Sequence, residues 1–480
     1  MRGSRGRRGL ARERRPGPLI AVLAFAGMGA SFMQTILIPM QSELPELLRS
    51  TREDTAWVIT ITLLVAAVCT PVSGKLGDMY GKRRVALVLL ALLIAGSVTA
   101  AFATTVVPLI VGRGLQGTGL GVIPLGIAIL RDSVPRARLA SATALVSGTL
   151  GVGGAIGLPI SAFVTEFFDW HLLFWIAAGI GVLSFVLYFV FVPASNIRSG
   201  GRFDYVGAVG LAIGLVALLL GVSKGNEWGW LSAPTLGCLV GGFAFLLVWG
   251  WFELRVSNPL VDIRVSARPA VLFTNIASIA MGFALFASSI VFPQLLQLPE
   301  EVGGVGLSLL QASFILMPSG LVMLAMSPVA GRLEKSIGAK PLFVIGSLVI
   351  AIGYLVAVMF PVSAWHVLVI NMVIGVGVGL GYAAMPTLIM QAVPSNETAS
   401  ANGVNTLMRA LGTSTAAAFV AAILAESTVR VDGVPVPTIE AFQVALVLGL
   451  IAALVCSATA ATIPPPRGLA REHGALPEPA

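Results

Sequence analysis

Apolar runs long enough to cross a bilayer alternate with short polar interruptions along almost the whole chain. A hydrocarbon layer about 30 Å thick takes about 20 apolar residues in a helix. Fourteen runs fit, at about 17–40, 54–73, 84–103, 106–130, 140–166, 171–193, 203–223, 231–253, 270–295, 306–330, 340–360, 365–389, 400–425 and 440–463. None has the repeated ten-residue alternation of barrel strands, so the pattern predicts helices that satisfy their own backbone groups. The expected fold class is an all-α polytopic membrane protein.

Composition agrees: of 480 residues 56% are hydrophobic and 11% charged, and mean hydropathy is +0.93. With the N-terminus in the cytoplasm, 24 of the 30 lysines and arginines fall on the inner side. The outer loops then hold only Arg49, Arg52, Lys224 and Arg430, while Arg113 and Arg409 lie within spans. That asymmetry is the positive-inside pattern, and it accounts for the net charge of +8 without nucleic acid. Residues 1–16 read as a basic cytoplasmic head able to touch anionic lipid, joined to an uncleaved first span. Residues 464–480, opening on Pro464, Pro465 and Pro466, read as a disordered cytoplasmic tail.

Enzyme chemistry finds no foothold. Cys69, Cys238 and Cys456 lie far apart in apolar spans, and His171, His366 and His473 are scattered, so no metal spacing exists. No phosphate-binding loop is present, which argues against ATP coupling or an ATP-binding subunit. No cofactor is expected beyond a transmembrane proton gradient as energy source.

Between the second and third runs stand Gly74, Lys75, Gly77, Asp78, Gly81, Lys82, Arg83 and Arg84, which read as a short cytoplasmic loop whose glycines allow tight turning. Asp78 sits where a carboxylate can accept backbone N–H groups or face a helix N-terminus. The segment from Gly331 to Lys340 echoes this loop 257 residues later, and Ala392-Val393-Pro394 answers Ser133-Val134-Pro135 at an offset of 259. The repeat divides the chain into six-helix units at 17–197 and 270–463, with two inserted spans in 198–269.

The chain resembles the major facilitator superfamily, and specifically its fourteen-span drug:proton antiporter branch. The loop motif, the inserted pair with Arg202-Phe203-Asp204-Tyr205-Val206-Gly207 and Glu227-Trp228-Gly229-Trp230, and the segment Asn258 to Arg264 carry the likeness. It implies two parallel six-helix bundles with substrate bound near the midplane between them. It implies too that Gly74, Gly77, Asp78, Gly81, Lys82, Arg83 and Arg84 form a conformational latch. Arg113, in Leu109 to Gly117, matches a fourth-span motif implicated in proton coupling; independently, an intramembrane guanidinium needs partners or water. Arg409 lies nearer the inner end of its span, where snorkelling accommodates it.

Span 5 carries Gly148, Gly151, Gly153, Gly154, Gly157 and Pro159, a spacing that permits close helix approach. It resembles the branch's antiporter motif, except that Leu158 separates the last glycine from the proline. A second departure is span 1, where Met33-Gln34-Thr35-Ile36 carries no aspartate. Proton loading is then expected at Glu43 or Glu166, partly buried at the outer ends of spans 1 and 5. The implied cavity, lined by spans 1, 4, 9 and 12, would draw polar contacts from Gln34, Gln116, Asn275 and Asn371, with Met33, Phe283, Tyr382 and Met385 as apolar wall.

These features lead to an expected secondary active exporter of lipophilic or amphiphilic small molecules in the bacterial inner membrane. It would work as a monomer by alternating access and proton-coupled antiport, with both termini cytoplasmic; the alternative reading is a facilitator or a dedicated exporter of one metabolite without that proton coupling. A transport-dead sensor or scaffold is a weaker alternative.

Overall fold

A computed structural model describes residues 16–37, 40, 43–194, 198–360, 363–431 and 434–464. The basic head before residue 16 and the tail from 465 lie outside the described residues. Helices occupy every expected span: α1 Pro16–Thr35, α2 Arg52–Tyr80, α3 Lys82–Ala101, α4 Val106–Ser133, α5 Arg136–Phe167, α6 His171–Phe191, α7 Tyr205–Trp228 and α8 Ala233–Glu253. The second half supplies α9 Pro269–Gln297, α10, α11 Ala339–Met359, α12 Ala364–Ala392, α13 Thr398–Glu426 and α14 Ile439–Thr462. Helix α10 is bent by 41° between Leu309–Ala325 and Ser327–Ile337. Pro328 stands at the start of its second segment, where a missing N–H is tolerated.

Three expectations need correction. The glycine-rich segment after span 2 is almost entirely helical: α2 runs through Gly74, Gly77 and Asp78 to Tyr80, and α3 begins at Lys82. Gly81 alone makes the turn, at φ 105°, a conformation costly for any residue with a Cβ. The echo behaves alike, since α10 continues to Ile337 and Gly338 breaks the chain at φ 90°. Span 1 is also shorter than its apolar run, because the helix stops at Thr35 while Ile36, Leu37 and Met40 remain buried. Hydropathy reported burial there, not helicity. A small hairpin, β1 Thr428–Val431 paired antiparallel with β2 Val434–Pro437, joins α13 to α14 and departs from a purely helical chain.

The architecture is the major facilitator fold, two six-helix bundles with α7 and α8 inserted between them in sequence. Within the first bundle α1 packs on α5 and α3 on α6; their counterparts in the second, α9 on α13 and α11 on α14, make the matching contacts. Between the bundles, α2 packs on α13 and α5 on α10. The pairing is reciprocal, as parallel repeats about a common axis require. Outward faces keep large apolar side chains exposed, among them Val182, Val186 and Phe189 on α6 and Val240, Phe243 and Leu247 on α8, which suits lipid rather than water.

Candidate functional site

The end of α2 meets the start of α13 at backbone distance. A Cβ on Gly74 would overlap the Ala399 carbonyl, and one on Gly403 would overlap that of Thr70, so only glycine allows this approach. Gly77 is filled similarly by Leu125 of α4. Asp78, 1% exposed, accepts hydrogen bonds from the backbone N–H groups of Ala399 at 3.3 Å and Ser400 at 2.8 Å. These are first-turn donors of α13, which have no partner inside their own helix, and a carboxylate there also meets the positive end of the helix dipole.

Lys82, fully buried, lies 2.5 Å from Asp132 of α4 and 3.8 Å from Asp78. It holds two carboxylates together at the α2–α4 junction. Arg83 and Arg84 do not complete this cluster as expected. The Arg83 side chain donates to the Phe189 carbonyl at 2.5 Å and lies over its ring, while Arg84 is exposed. Sequence reasoning missed the cation that does reach across. Arg131 donates to Thr398 Oγ1 at 2.6 Å, to the Val393 carbonyl at 3.0 Å and to the Pro394 carbonyl at 3.2 Å, just beyond the C-terminus of α12. The first bundle thus presents an acid to a helix N-terminus and a base to a helix C-terminus of the second, each matching the local partial charge.

The repeat makes a related contact without an acid. Gly331 of α10 meets the backbone of Ser141 near the start of α5, but Lys335 occupies the position that the 257-residue offset assigns to Asp78's counterpart. Glu334, mostly buried beside it, faces the Thr387 hydroxyl of α12.

The glycine ladder of α5 serves two neighbours. Gly148 and Gly151 admit Met323 and Ser327 of α10, while Gly153 and Gly157 admit Met28 and Thr35 of α1; Gly154 faces α1 more loosely, and Pro159 is buried within the helix. One helix therefore packs its own bundle on one face and the opposite bundle on another.

Arg113 of α4, 1% exposed, donates to the Met33 carbonyl at 2.8 Å and to Gln116 Oε1 at 2.9 Å. Gln116 in turn donates to Ser97 Oγ at 2.9 Å and approaches Met33 Sδ. Met33 and Gln116 are thus consumed in holding Arg113 within the first bundle and do not form open cavity wall. In the second bundle Asn405 donates to Asn275 Oδ1 at 2.9 Å and to Ser278 Oγ at 2.8 Å, and Ser278 contacts Met385 Sδ. Asn275 and Met385 are closed into that network. Asn371 donates to the Leu316 carbonyl at 3.3 Å, whereas Gln34 and Phe283 stay partly exposed.

Arg409 lies nearer the inner end of α13, as expected, but well inside the helix rather than at its edge. It stands eleven residues into the 29-residue α13, about 17 Å along the axis. Its guanidinium lies 4.6 Å from the centre of the Tyr382 ring of α12. The expected proton carriers are placed otherwise than proposed: Glu43 and Glu166 are both exposed at helix ends rather than partly buried.

A family model described as the Major Facilitator Superfamily matches residues 23–417 and 276–476. The multidrug transporter protein MdtP of Bacillus subtilis is 25% identical over 78% of this chain and 67% of its own length. An uncharacterized MFS-type transporter of Mycobacterium tuberculosis is 26% identical over 88% of this chain, which spans 62% of that protein. The lincomycin resistance protein LmrB of Listeria monocytogenes is 25% identical, with 84% of this chain and 86% of LmrB covered. Among solved structures, the human organic anion transporter MFSD10 (TETRAN) superposes with a TM-score of 0.64 at 13% identity, covering 92% of this chain and 100% of that one, a likeness of fold. With matched residues running through both bundles, this multi-pass membrane protein belongs to the Major Facilitator Superfamily, whose members are transporters that need no cofactor.

Proposed function

We propose that the protein is a secondary active exporter that moves lipophilic or amphiphilic small molecules out of a bacterial cell by alternating access, exchanging them for entering protons. It works as a monomer in the inner membrane with both termini cytoplasmic. The observation that carries this reading is the latch. Asp78 on the α13 N-terminus and Arg131 beyond the α12 C-terminus hold the bundles together on the side that bears most basic residues, which the positive-inside rule makes cytoplasmic. Hydrogen bonds to charged groups contribute about 1.5–3 kcal/mol each, small enough for differential substrate binding to undo and re-form them in every cycle. That MdtP is named a multidrug transporter and LmrB a lincomycin resistance protein supports outward transport of foreign compounds.

The test is flux of a lipophilic dye into inverted vesicles carrying the purified protein. Accumulation that collapses when ΔpH and membrane potential are both abolished supports antiport; uphill accumulation that survives their loss refutes it. A second reading, facilitation or dedicated export of one metabolite without proton coupling, is favoured by the exposure of Glu43 and Glu166. It predicts saturable flux that only equilibrates its substrate.

A further inference from the structure

The acids and bases of this protein divide unevenly with depth. Within helices α1 to α14 every Asp and Glu lies within four residues of a helix end: Glu53, Asp54 and Asp78 in α2, Asp132 in α4, Glu166 in α5, Glu227 in α7, Glu253 in α8, Glu334 in α10, Glu426 in α13 and Glu440 in α14. The two cations deepest in their helices, Arg113 and Arg409, therefore have no carboxylate at their level, and neither takes part in an ion pair among the described residues.

The two differ in what they still need. Arg113 is sealed and hydrogen-bonded inside the first bundle. Arg409 is only partly buried, and its described contact is the face of Tyr382. It does not face lipid. Asn405, one turn earlier on the same face of α13, is buried in the network with Asn275 and Ser278 of α9. Gly282 of α9 packs on the Arg409 backbone, and Tyr382 of α12 lies beneath the guanidinium. Arg409 is thus a part-accessible arginine on an interior face, and its guanidinium carries five N–H donors with no carboxylate partner among the described residues. Such a group in an apolar surround binds most strongly a ligand carrying a carboxylate, sulfonate or phosphate, through paired charge-assisted hydrogen bonds.

We propose that Arg409, seated on Tyr382, reads substrate charge, and that the preferred substrates are amphiphilic anions whose acidic group meets Arg409 while their apolar body lies against α9 and α12. This rests on the exporter reading above and specifies its substrate class.

Three probes with one ring system separate the possibilities: dansylglycine, carrying one negative charge at neutral pH; dansylglycinamide, carrying none; and dansylated ethylenediamine, carrying one positive charge. Binding to the purified full chain is read by tryptophan quenching, and flux is read in proteoliposomes. Dansylglycine is expected to bind about tenfold or more tighter than the other two and to show saturable flux. Arg409→Gln should bring the three probes to similar affinity, while Arg409→Lys, which keeps the charge and loses the planar fork, should retain part of the preference. Both variants are compared at matched thermal stability.

Equal or better binding of the amide or amine to the unaltered protein overturns the proposal. So does a dansylglycine preference that survives Arg409→Gln. If the amide or amine shows saturable flux indifferent to Arg409, charge selection falls and the exporter reading stands; if none of the three shows saturable flux, both fall.

Discussion

Replacing Asp78 by asparagine tests the latch with little change of shape. The carboxylate holds two backbone N–H groups of α13 at 3.3 and 2.8 Å. Asparagine keeps one acceptor oxygen but loses the charge and its attraction to the helix terminus, which is worth about 0.3–1 kcal/mol for an exposed group and more when buried. Together with weaker hydrogen bonds, the loss amounts to about 1–2 kcal/mol, or a factor of about 5–30 in the balance between latched and open states. Lys82 remains neutralised by Asp132 at 2.5 Å, so the substitution leaves no buried cation unpaired.

The population change can be read by double electron–electron resonance. Spin labels at Arg138 and Arg332, exposed at the start of α5 and near the end of α10, report the gap between bundles once Cys69, Cys238 and Cys456 are alanine. Unaltered protein should give mainly a short distance, and Asp78→Asn should add a longer population. Asp78→Ala should enlarge it further. Identical distance distributions in all three proteins would refute the assignment of Asp78 as a latch.

Arg113→Leu removes the hydrogen bonds to Met33 and Gln116, and should destabilise the first bundle by about 2–4 kcal/mol, read as a lower thermal midpoint in detergent. Gly74→Leu drives a side chain into the Ala399 backbone at a cost of about 1–3 kcal/mol to the latched state; flux should fall sharply while the protein still melts cooperatively, and the spin-label gap should widen. Tyr354→Phe loses the hydroxyl that donates to the Ala284 carbonyl and keeps the ring packed on Gly449, so a loss of about 0.5–1.5 kcal/mol in unfolding free energy is expected with substrate affinity unchanged. Gly338→Ala forces a Cβ onto a φ of 90° between α10 and α11, and should destabilise the protein by about 1 kcal/mol, read as a modestly lower thermal midpoint.

Span number and bundle organisation were readable because hydropathy is a local property of about 20 consecutive residues and the repeat preserves its offset. Asp78 was readable too, since a buried acid beside glycines has few roles at a helix end. What escaped was long-range. Arg131 looked like one more inner-side cation, and only the fold brings it to Thr398, 267 residues away. Arg409 was assigned to snorkelling because only the fold brings Gly282 of α9 onto its backbone and Tyr382 of α12 beneath its guanidinium. Met33, Gln116, Asn275 and Met385 carried the right chemistry for a cavity, yet each is engaged by a neighbour in its own bundle. Side-chain type does not reveal which face of a fully apolar helix turns toward the opening.

The inserted pair touches both bundles, but with different kinds of contact. Leu211 and Leu215 share one aliphatic cluster with Leu64 and Ala67 of α2 and with Val404 and Leu407 of α13; toward α2 polar contacts are added, with Ser223 within hydrogen-bonding distance of Thr60 and Lys224 over the Trp57 ring. A greasy seam shears with less resistance than one stitched by polar groups. When the bundles rock, α7 and α8 should therefore ride with α2 like a sidecar, displacing lipid as they go, so that the stiffness of the surrounding bilayer becomes part of the friction that sets turnover.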